Sequence, residues 1–190
     1  DMVVDAQGRA YVGNFGFDLD KELRERGNQG VLAEHVAAKL ACVLPDGSVR
    51  IAAEDMHFPN GTVITPDGKT LIIGETFGAC LSAFDVGADG ALSNRRLWAN
   101  IAPRVPDGIC LDADGAIWVA NPTAPECVRV KQGGEILEVI DTGAPCYACM
   151  LGGDDGRTLF MLTAAGLDAA KEATGKIVVA TVDAPHAGRP

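Results

Sequence analysis

Two side chains in this sequence stand where oxygen ligands for a hard cation would stand. Asn60 lies in Phe58-Pro59-Asn60-Gly61-Thr62-Val63-Ile64-Thr65, and Asp107 lies in Val105-Pro106-Asp107-Gly108-Ile109-Cys110-Leu111. Each is followed by glycine and a short apolar stretch, which places each at the mouth of a β-strand. Both strands run into an Asp-Gly turn, at Asp67-Gly68 and Asp114-Gly115, and then into a second apolar strand. Asn60 and Asp107 therefore hold the same place in two copies of one unit. An amide carbonyl and a carboxylate are hard donors that suit Ca²⁺, Mg²⁺ or Mn²⁺ and tolerate Zn²⁺. A divalent ion with an open position polarises an ester carbonyl and acidifies water. Asp107 is also a candidate general base toward that water. The alternative is ordinary turn chemistry, because Asn-Gly is a favoured turn pair and Pro-Asp-Gly also occurs at 45–47 and 66–68. Register separates the two: Asp107 precedes an inner strand as Asn60 does, whereas Asp46 and Asp67 fall between later strands.

The elements that must position this pair form a repeat. The Asp-Gly type of turn followed by an apolar strand occurs four times, with turn glycines Gly8, Gly68, Gly115 and Gly156. Their separation shrinks from about 60 to about 40 residues, the period of propeller blades with one long insertion. Each copy leads into further strand patterns around a turn, such as 39–44 with 48–52, 81–86 with 91–98, and 127–130 with 135–140. The fourth copy reaches one more strand pattern, 176–182. Four short strands per unit predict an all-β fold, a β-propeller. Residues 1–190 read as one domain. The charged segment from Asp18 to Lys39 has a thin apolar face and reads as a surface loop within the first blade. Leu167 to Thr174 reads as a loop with a short helix. Four copies do not close a ring, and an open arc exposes sheet edges that natural proteins avoid. Either upstream blades or a partner is expected to complete it.

The chain of 190 residues is long enough for one domain with a substantial core. Its net charge of −10 argues against nucleic acid or an anionic membrane as partner. No apolar run approaches the ~20 residues that cross a bilayer as a helix. The sequence opens on a strand pattern, Asp1-Met2-Val3-Val4-Asp5, so the N-terminus reads as cut and carries no targeting information. Six cysteines sit mostly in apolar strand patterns, as small hydrophobes. Cys146-Tyr147-Ala148-Cys149 is a lone C-x-x-C without a second ligand pair, and the three histidines, His35, His57 and His186, show no ligand spacing. Reduced, buried thiols fit a cytoplasmic protein. Asp1 is a candidate for touching substrate or water at the same mouth, and His57, three residues before Asn60, for lining the pocket. Cys146 and Tyr147 are candidate pocket wall. Glu75 and Asn121 end strands as plausibly as they serve chemistry, and Trp98 and Trp118 read as core.

Several short motifs in order carry a family resemblance. They are Asp1-Met2 ahead of the strand 3–13, Phe58-Pro59-Asn60-Gly61, Ser93-Asn94-Arg95-Arg96, Pro106-Asp107-Gly108-Ile109-Cys110, Trp118-Val119-Ala120 and Cys149-Met150-Leu151-Gly152-Gly153. Each is weak alone; their order and spacing over essentially the whole chain resemble the SMP-30/gluconolactonase/LRE-like, or regucalcin-like, family. The resemblance implies a six-bladed β-propeller, of which this chain would be the C-terminal two-thirds, about four blades. It implies one central divalent ion held by a Glu of the first blade, an Asn and an Asp. Asn60 and Asp107 match the last two; the Glu, and the Arg and Asn that contact substrate just ahead of Asp1, have no counterpart here. The function so implied is metal-dependent opening of the ester bond of a sugar lactone. Two other readings stand beside it: an esterase or organophosphate hydrolase on the same scaffold, and a propeller that binds without catalysis.

Overall fold

The structure, a computed structural model, describes residues 1–166 and 173–188, without the Asn28 side chain. Four antiparallel sheets follow one another along the chain, each with its strands in sequence order. The first holds β1 (Met2–Val4), β2 (Ala10–Val12), β3 (Ala38–Val43) and β4 (Val49–Met56). The second holds β5 (Pro59–Ile64), β6 (Thr70–Glu75), β7 (Cys80–Val86) and β8 (Leu92–Asn100). The third holds β9 (Ile109–Leu111), β10 (Ile117–Asn121), β11 (Glu126–Val130) and β12 (Ile136–Asp141). The fourth has three strands among the described residues, β13 (Cys146–Gly152), β14 (Thr158–Thr163) and β15 (Lys176–Thr181). The first strands of successive sheets touch, β1 with β5, β5 with β9 and β9 with β13. This is a propeller arrangement of four blades with the first strand of each innermost.

Period-two alternation builds the core between blades. In β6, Leu71 and Ile73 face the first blade, where they join Val3, Tyr11, Leu40, Cys42 and Met56, while Ile72 faces the third. In β10, Ile117 and Val119 face the second blade, and Trp118 and Ala120 face the fourth. The inner parts of the two middle blades are thus covered on both faces, and stretches such as 71–73, 109–111 and 117–120 read as unbroken apolar runs. The outward faces of the first and last blades carry exposed apolar side chains, among them Met2, Val4, Met150, Leu162, Ile177 and Val179. Trp118 and Trp98 are core, as their apolar setting predicts. The four turn glycines of the repeat all lie at positive φ, from 71° to 80°, which explains the residue type there.

The segment from Asp18 to Lys39 is not the loop expected from its composition. It forms α1 (Leu19–Ala33), broken at Gly27, where φ is 68°. Asp18 caps it by accepting from the Lys21 backbone N–H, and Glu22 pairs with Arg26 one turn on. The thin apolar face suffices because Val31, at 1% exposure, anchors it. Propensity and capping, rather than a broad apolar stripe, decide this element. The predicted loop at 167–174 falls largely outside the described residues.

Two equivalent aspartates tie the turns to the blades. Asp5 Oδ1 accepts from the backbone N–H groups of Gln7 and Arg9, and Asp112 Oδ1 accepts from those of Asp114 and Ala116. The remaining oxygen of each takes an arginine, Arg9 for Asp5 and Arg129 for Asp112. Arg9 also donates to the Ala88 carbonyl, and Tyr11 to the Gly90 carbonyl, stitching the first blade to the second. Asp46 and Asp67, by contrast, bond only within their own exposed turns. Replacing Asp112 by Ala orphans two turn N–H groups and the shielded Nε of Arg129, which keeps Asp114, and is expected to cost about 3 kcal/mol. Urea unfolding of the purified variant should show this as a lowered midpoint, while Asp46→Ala leaves the midpoint in place.

Candidate metal and hydrolase site

The inner strands all begin at one end of the blades, and four repeat-equivalent residues sit there: Asp1 before β1, Asn60 in β5, Asp107 before β9 and Tyr147 in β13. Their main chains are linked across blades. The Gly61 N–H donates to the Asp107 carbonyl at 3.1 Å, and the Gly108 N–H donates to the Tyr147 carbonyl at 3.0 Å. Within the third blade, the Asp107 N–H donates to the Ala120 carbonyl, and the Ala120 N–H to the Gly108 carbonyl. These bonds fix the backbone on either side of Asp107.

Asn60 does not merely precede its strand. β5 starts at Pro59, and the pairing with β6 slips by one residue between Pro59 and Thr62. Asn60 and Gly61 occupy that bulge, a device that re-aims a side chain at the edge of a sheet. The fourth blade repeats it, with Tyr147 as the extra residue between Cys146 and Ala148. The Asn60 Nδ2 donates to Thr76 Oγ1 at 3.1 Å, and that hydroxyl donates to the Pro106 carbonyl at 2.7 Å. One threonine therefore joins the Asn60 side chain to the residue before Asp107.

Asp107 is half-buried. Burial pushes its carboxyl up to about 6, against the opposing hydrogen bonds from the Asn60 side chain and the Gly108 N–H and the charge on the Asp1 nitrogen. Among the described residues no side chain forms an ion pair with it. Tyr147 is half-buried nearby, and its hydroxyl is pushed up by burial and then by the Asp107 charge. Asp1 is exposed on the same rim.

His57 is exposed in the turn between β4 and β5. Its ring engages His35, Nε2 of His35 lying 2.9 Å from Nδ1 of His57. This pairing was invisible in the sequence because 22 residues and α1 separate the two histidines. The turn itself is held by Glu75, at 1% exposure, whose carboxylate accepts from the His57 N–H, the Ser82 hydroxyl and both ways from Arg95. Glu75 is thus a positioning group for the segment leading to Asn60. Asn121 caps the following turn, accepting from the N–H and hydroxyl of Thr123 and donating to Glu126. Phe58 is held at φ 57°, which costs a bulky residue about 1–3 kcal/mol.

The C-x-x-C pair is less isolated than its sequence suggests. Cys146 and Cys149 share one apolar cluster with Cys110 and Cys127, and Cys110 Sγ lies 3.9 Å from Cys149 Sγ. All six cysteines are free thiols. Among the described residues no group of three or more His, Cys, Asp or Glu is arranged to hold a metal ion. Asn60 and Asp107 are the only two of the sequence-predicted metal ligands in the described residues, and the third, a Glu of an upstream blade, has no counterpart here.

Residues 1–165 match the SMP-30/gluconolactonase/LRE-like region, and the chain belongs to that family. Regucalcin of Danio rerio is 29% identical over 175 residues, which cover 89% of this chain and 55% of that protein. A gluconolactonase from Xanthomonas campestris superposes with a TM-score of 0.64 at 28% identity, over 86% of this chain and 53% of the other. A calcium-binding regucalcin from Agrobacterium tumefaciens superposes with a TM-score of 0.76 at 18% identity, over 100% of this chain and 63% of the other. The chain spans about half the length of the curated relatives it matches.

The closeness of the inner strands gives a direct test of this geometry. A Cβ on Gly61 would lie 2.4 Å from the Asp107 carbonyl oxygen and 2.6 Å from the Ile109 nitrogen, both backbone atoms that cannot swing aside. Gly61→Ala is expected to push the second and third blades apart, costing at least the ~1–3 kcal/mol typical of overpacking. A fall in thermal midpoint checks it; an unchanged midpoint would contradict the tight inner-strand contact.

Proposed function

We propose that the protein is a divalent-metal-dependent hydrolase that opens the ester bond of a lactone, with a sugar lactone as the reference substrate. The observation that carries this reading is the Asp107 carboxylate: half-buried, lifted to about 6 by burial, without an ion-pair partner, and in contact with the Asn60 amide. A desolvated carboxylate without a compensating charge is what a bound cation satisfies. An Asn oxygen beside it makes the donor set hard, favouring Ca²⁺, with Mg²⁺, Mn²⁺ and Zn²⁺ as the other candidates. The family's gluconolactonases and the calcium-binding regucalcin relative support the same direction.

Asn60 and Asp107 would hold the ion, with the remaining ligands from outside the described residues or from water. The ion supplies Lewis-acid polarisation of the ester carbonyl. Asp107 would accept a proton from the water that adds to the carbonyl carbon. The ring carbon–oxygen bond then breaks, and the departing alkoxide takes up the proton. Lactone and water become a hydroxy acid, with no oxidant and no further reactant. Asp1 lies on the rim for contact with substrate, while His57 reaches that rim only through its turn.

In this reading the whole protein is a six-bladed ring, of which 190 residues supply about four blades as one domain, and the missing donor lies in the rest. The reading also places the protein in the cytoplasm, supported by six free thiols. Among the described residues no helix is long and apolar enough to cross a membrane.

Two outcomes are expected of the whole protein. Hydrolysis of glucono-1,5-lactone, followed by base uptake at constant pH, should be lost on chelation and restored by Ca²⁺ or another divalent ion. Asp107→Asn should lower kcat at least 10²-fold, the contribution typical of a general base, and should weaken ion binding in calorimetry. A rate unaffected by chelator, or an Asp107→Asn variant with full activity, would remove the assignment.

A further inference from the structure

Six rings gather on the rim beside Asn60. Phe15 and Phe17 come from the connection between β2 and α1, and His35 from the segment between α1 and β3. His57 and Phe58 come from the turn between β4 and β5, and Phe77 from the 3-10 turn that follows β6. Antiparallel order brings all three connections to the end where the inner strands begin. Phe58 meets Phe15 at 4.4 Å between centroids and Phe77 at 5.1 Å. Phe77 stands 6.2 Å from Phe17 and 4.9 Å from His35, and His35 is edge-on to His57 at 5.1 Å. One continuous surface thus takes four of the six phenylalanines in the chain.

A cluster that only propped these loops would bury its rings, as Phe84 is buried at 4% exposure between blades. None of the six rings on the rim is buried, and Phe15 is 41% exposed. Open apolar surface of this kind, rimmed by polar residues, marks a binding face. Its place relative to the candidate site is set by chain continuity. Phe58 is two residues from Asn60, and Phe77 follows Thr76, whose hydroxyl joins Asn60 to the Pro106 carbonyl. The Glu75 carboxylate beneath the wall is taken up by Arg95, Ser82 and the His57 N–H. His35 is held below its ordinary range by burial and then by His57. Phenyl rings offer hydroxyl groups no hydrogen-bond partner, and hydroxyls pressed against them lose water without compensation. A planar ring, by contrast, finds the tilted and edge-on packing that these six rings already adopt with one another.

We propose that this wall is the specificity surface of the candidate hydrolase site, and that it receives an aryl or similarly planar apolar substituent of the ester in preference to a polyhydroxylated one. The proposal rests on the lactone-hydrolase reading for its chemistry; the bonds made and broken are unchanged, and the leaving oxygen of an aryl lactone departs as a phenol.

The test uses the whole protein supplied with Ca²⁺. Values of kcat/KM are measured for dihydrocoumarin, an aryl lactone, and for glucono-1,5-lactone. Binding of chroman, the same bicycle without the carbonyl, is followed by NMR in chelator and in Ca²⁺. Dihydrocoumarin should be preferred by at least about tenfold, and Phe15→Ala, an exposed position that tolerates truncation, should reduce that ratio by about tenfold. Phe77→Leu, which keeps the volume but not the ring, should act in the same direction. Chroman should bind, and more weakly in both variants. Preference for gluconolactone, or a ratio untouched by both substitutions, overturns the proposal. If neither lactone is hydrolysed but chroman binds in a Phe15-dependent manner, the hydrolase reading fails and the aryl-binding wall stands. If chroman does not bind and neither lactone reacts, both fall.

Discussion

The contact on which the rest of the structure depends is the near touching of inner strands at their first residues. The Gly61 N–H reaches the Asp107 carbonyl, and the Gly108 N–H reaches the Tyr147 carbonyl, so the second blade is tied to the third and the third to the fourth through the main chain. The approach is so close that a side chain on Gly61 or Gly108 would strike backbone atoms of the neighbouring blade. That single constraint accounts for the glycine after Asn60 and the glycine after Asp107. It also brings the starts of β5 and β9, where Asn60 and Asp107 stand, into main-chain contact.

Around this contact the blades are held by ordinary burial. Each middle strand divides its residues between two interfaces, and the turn aspartates Asp5 and Asp112 lock the outer ends with arginines. The site end and the turn end of the blades therefore have different duties. At the turn end the carboxylates are saturated by N–H groups and guanidinium. At the site end Asp107 has no guanidinium partner among the described residues, and burial raises its pKa. The contrast between two kinds of buried aspartate, in one repeat, is a stronger pointer to chemistry than either residue alone.

Much of this was legible in the chain itself. The glycines at 8, 68, 115 and 156 gave the turns because positive φ leaves few other residues, and alternation in stretches such as Thr70 to Glu75 gave the strands. The equivalence of Asn60 and Asp107 followed from the same register. What escaped reading was either non-local or set by context. The bulge at Asn60 depends on how β5 pairs with β6, and the gathering of four cysteines on which strands become neighbours across blades. α1 escaped because a helix fixed by one cap, a few charge pairs and one buried valine leaves little hydrophobic pattern to detect. His35 and His57 met only because that helix returns the chain to the rim.

The staircase of main-chain bonds has one more consequence. Backbone atoms make the inter-blade contacts at 61/107 and 108/147, so these contacts do not depend on the side chains at 107 and 147. Positions 60, 107 and 147 share one place in successive blades, at the ends where the inner strands begin. A scaffold built this way separates the inheritance of shape from the inheritance of activity, so that relatives at low identity keep the architecture while their central chemistry is open to drift.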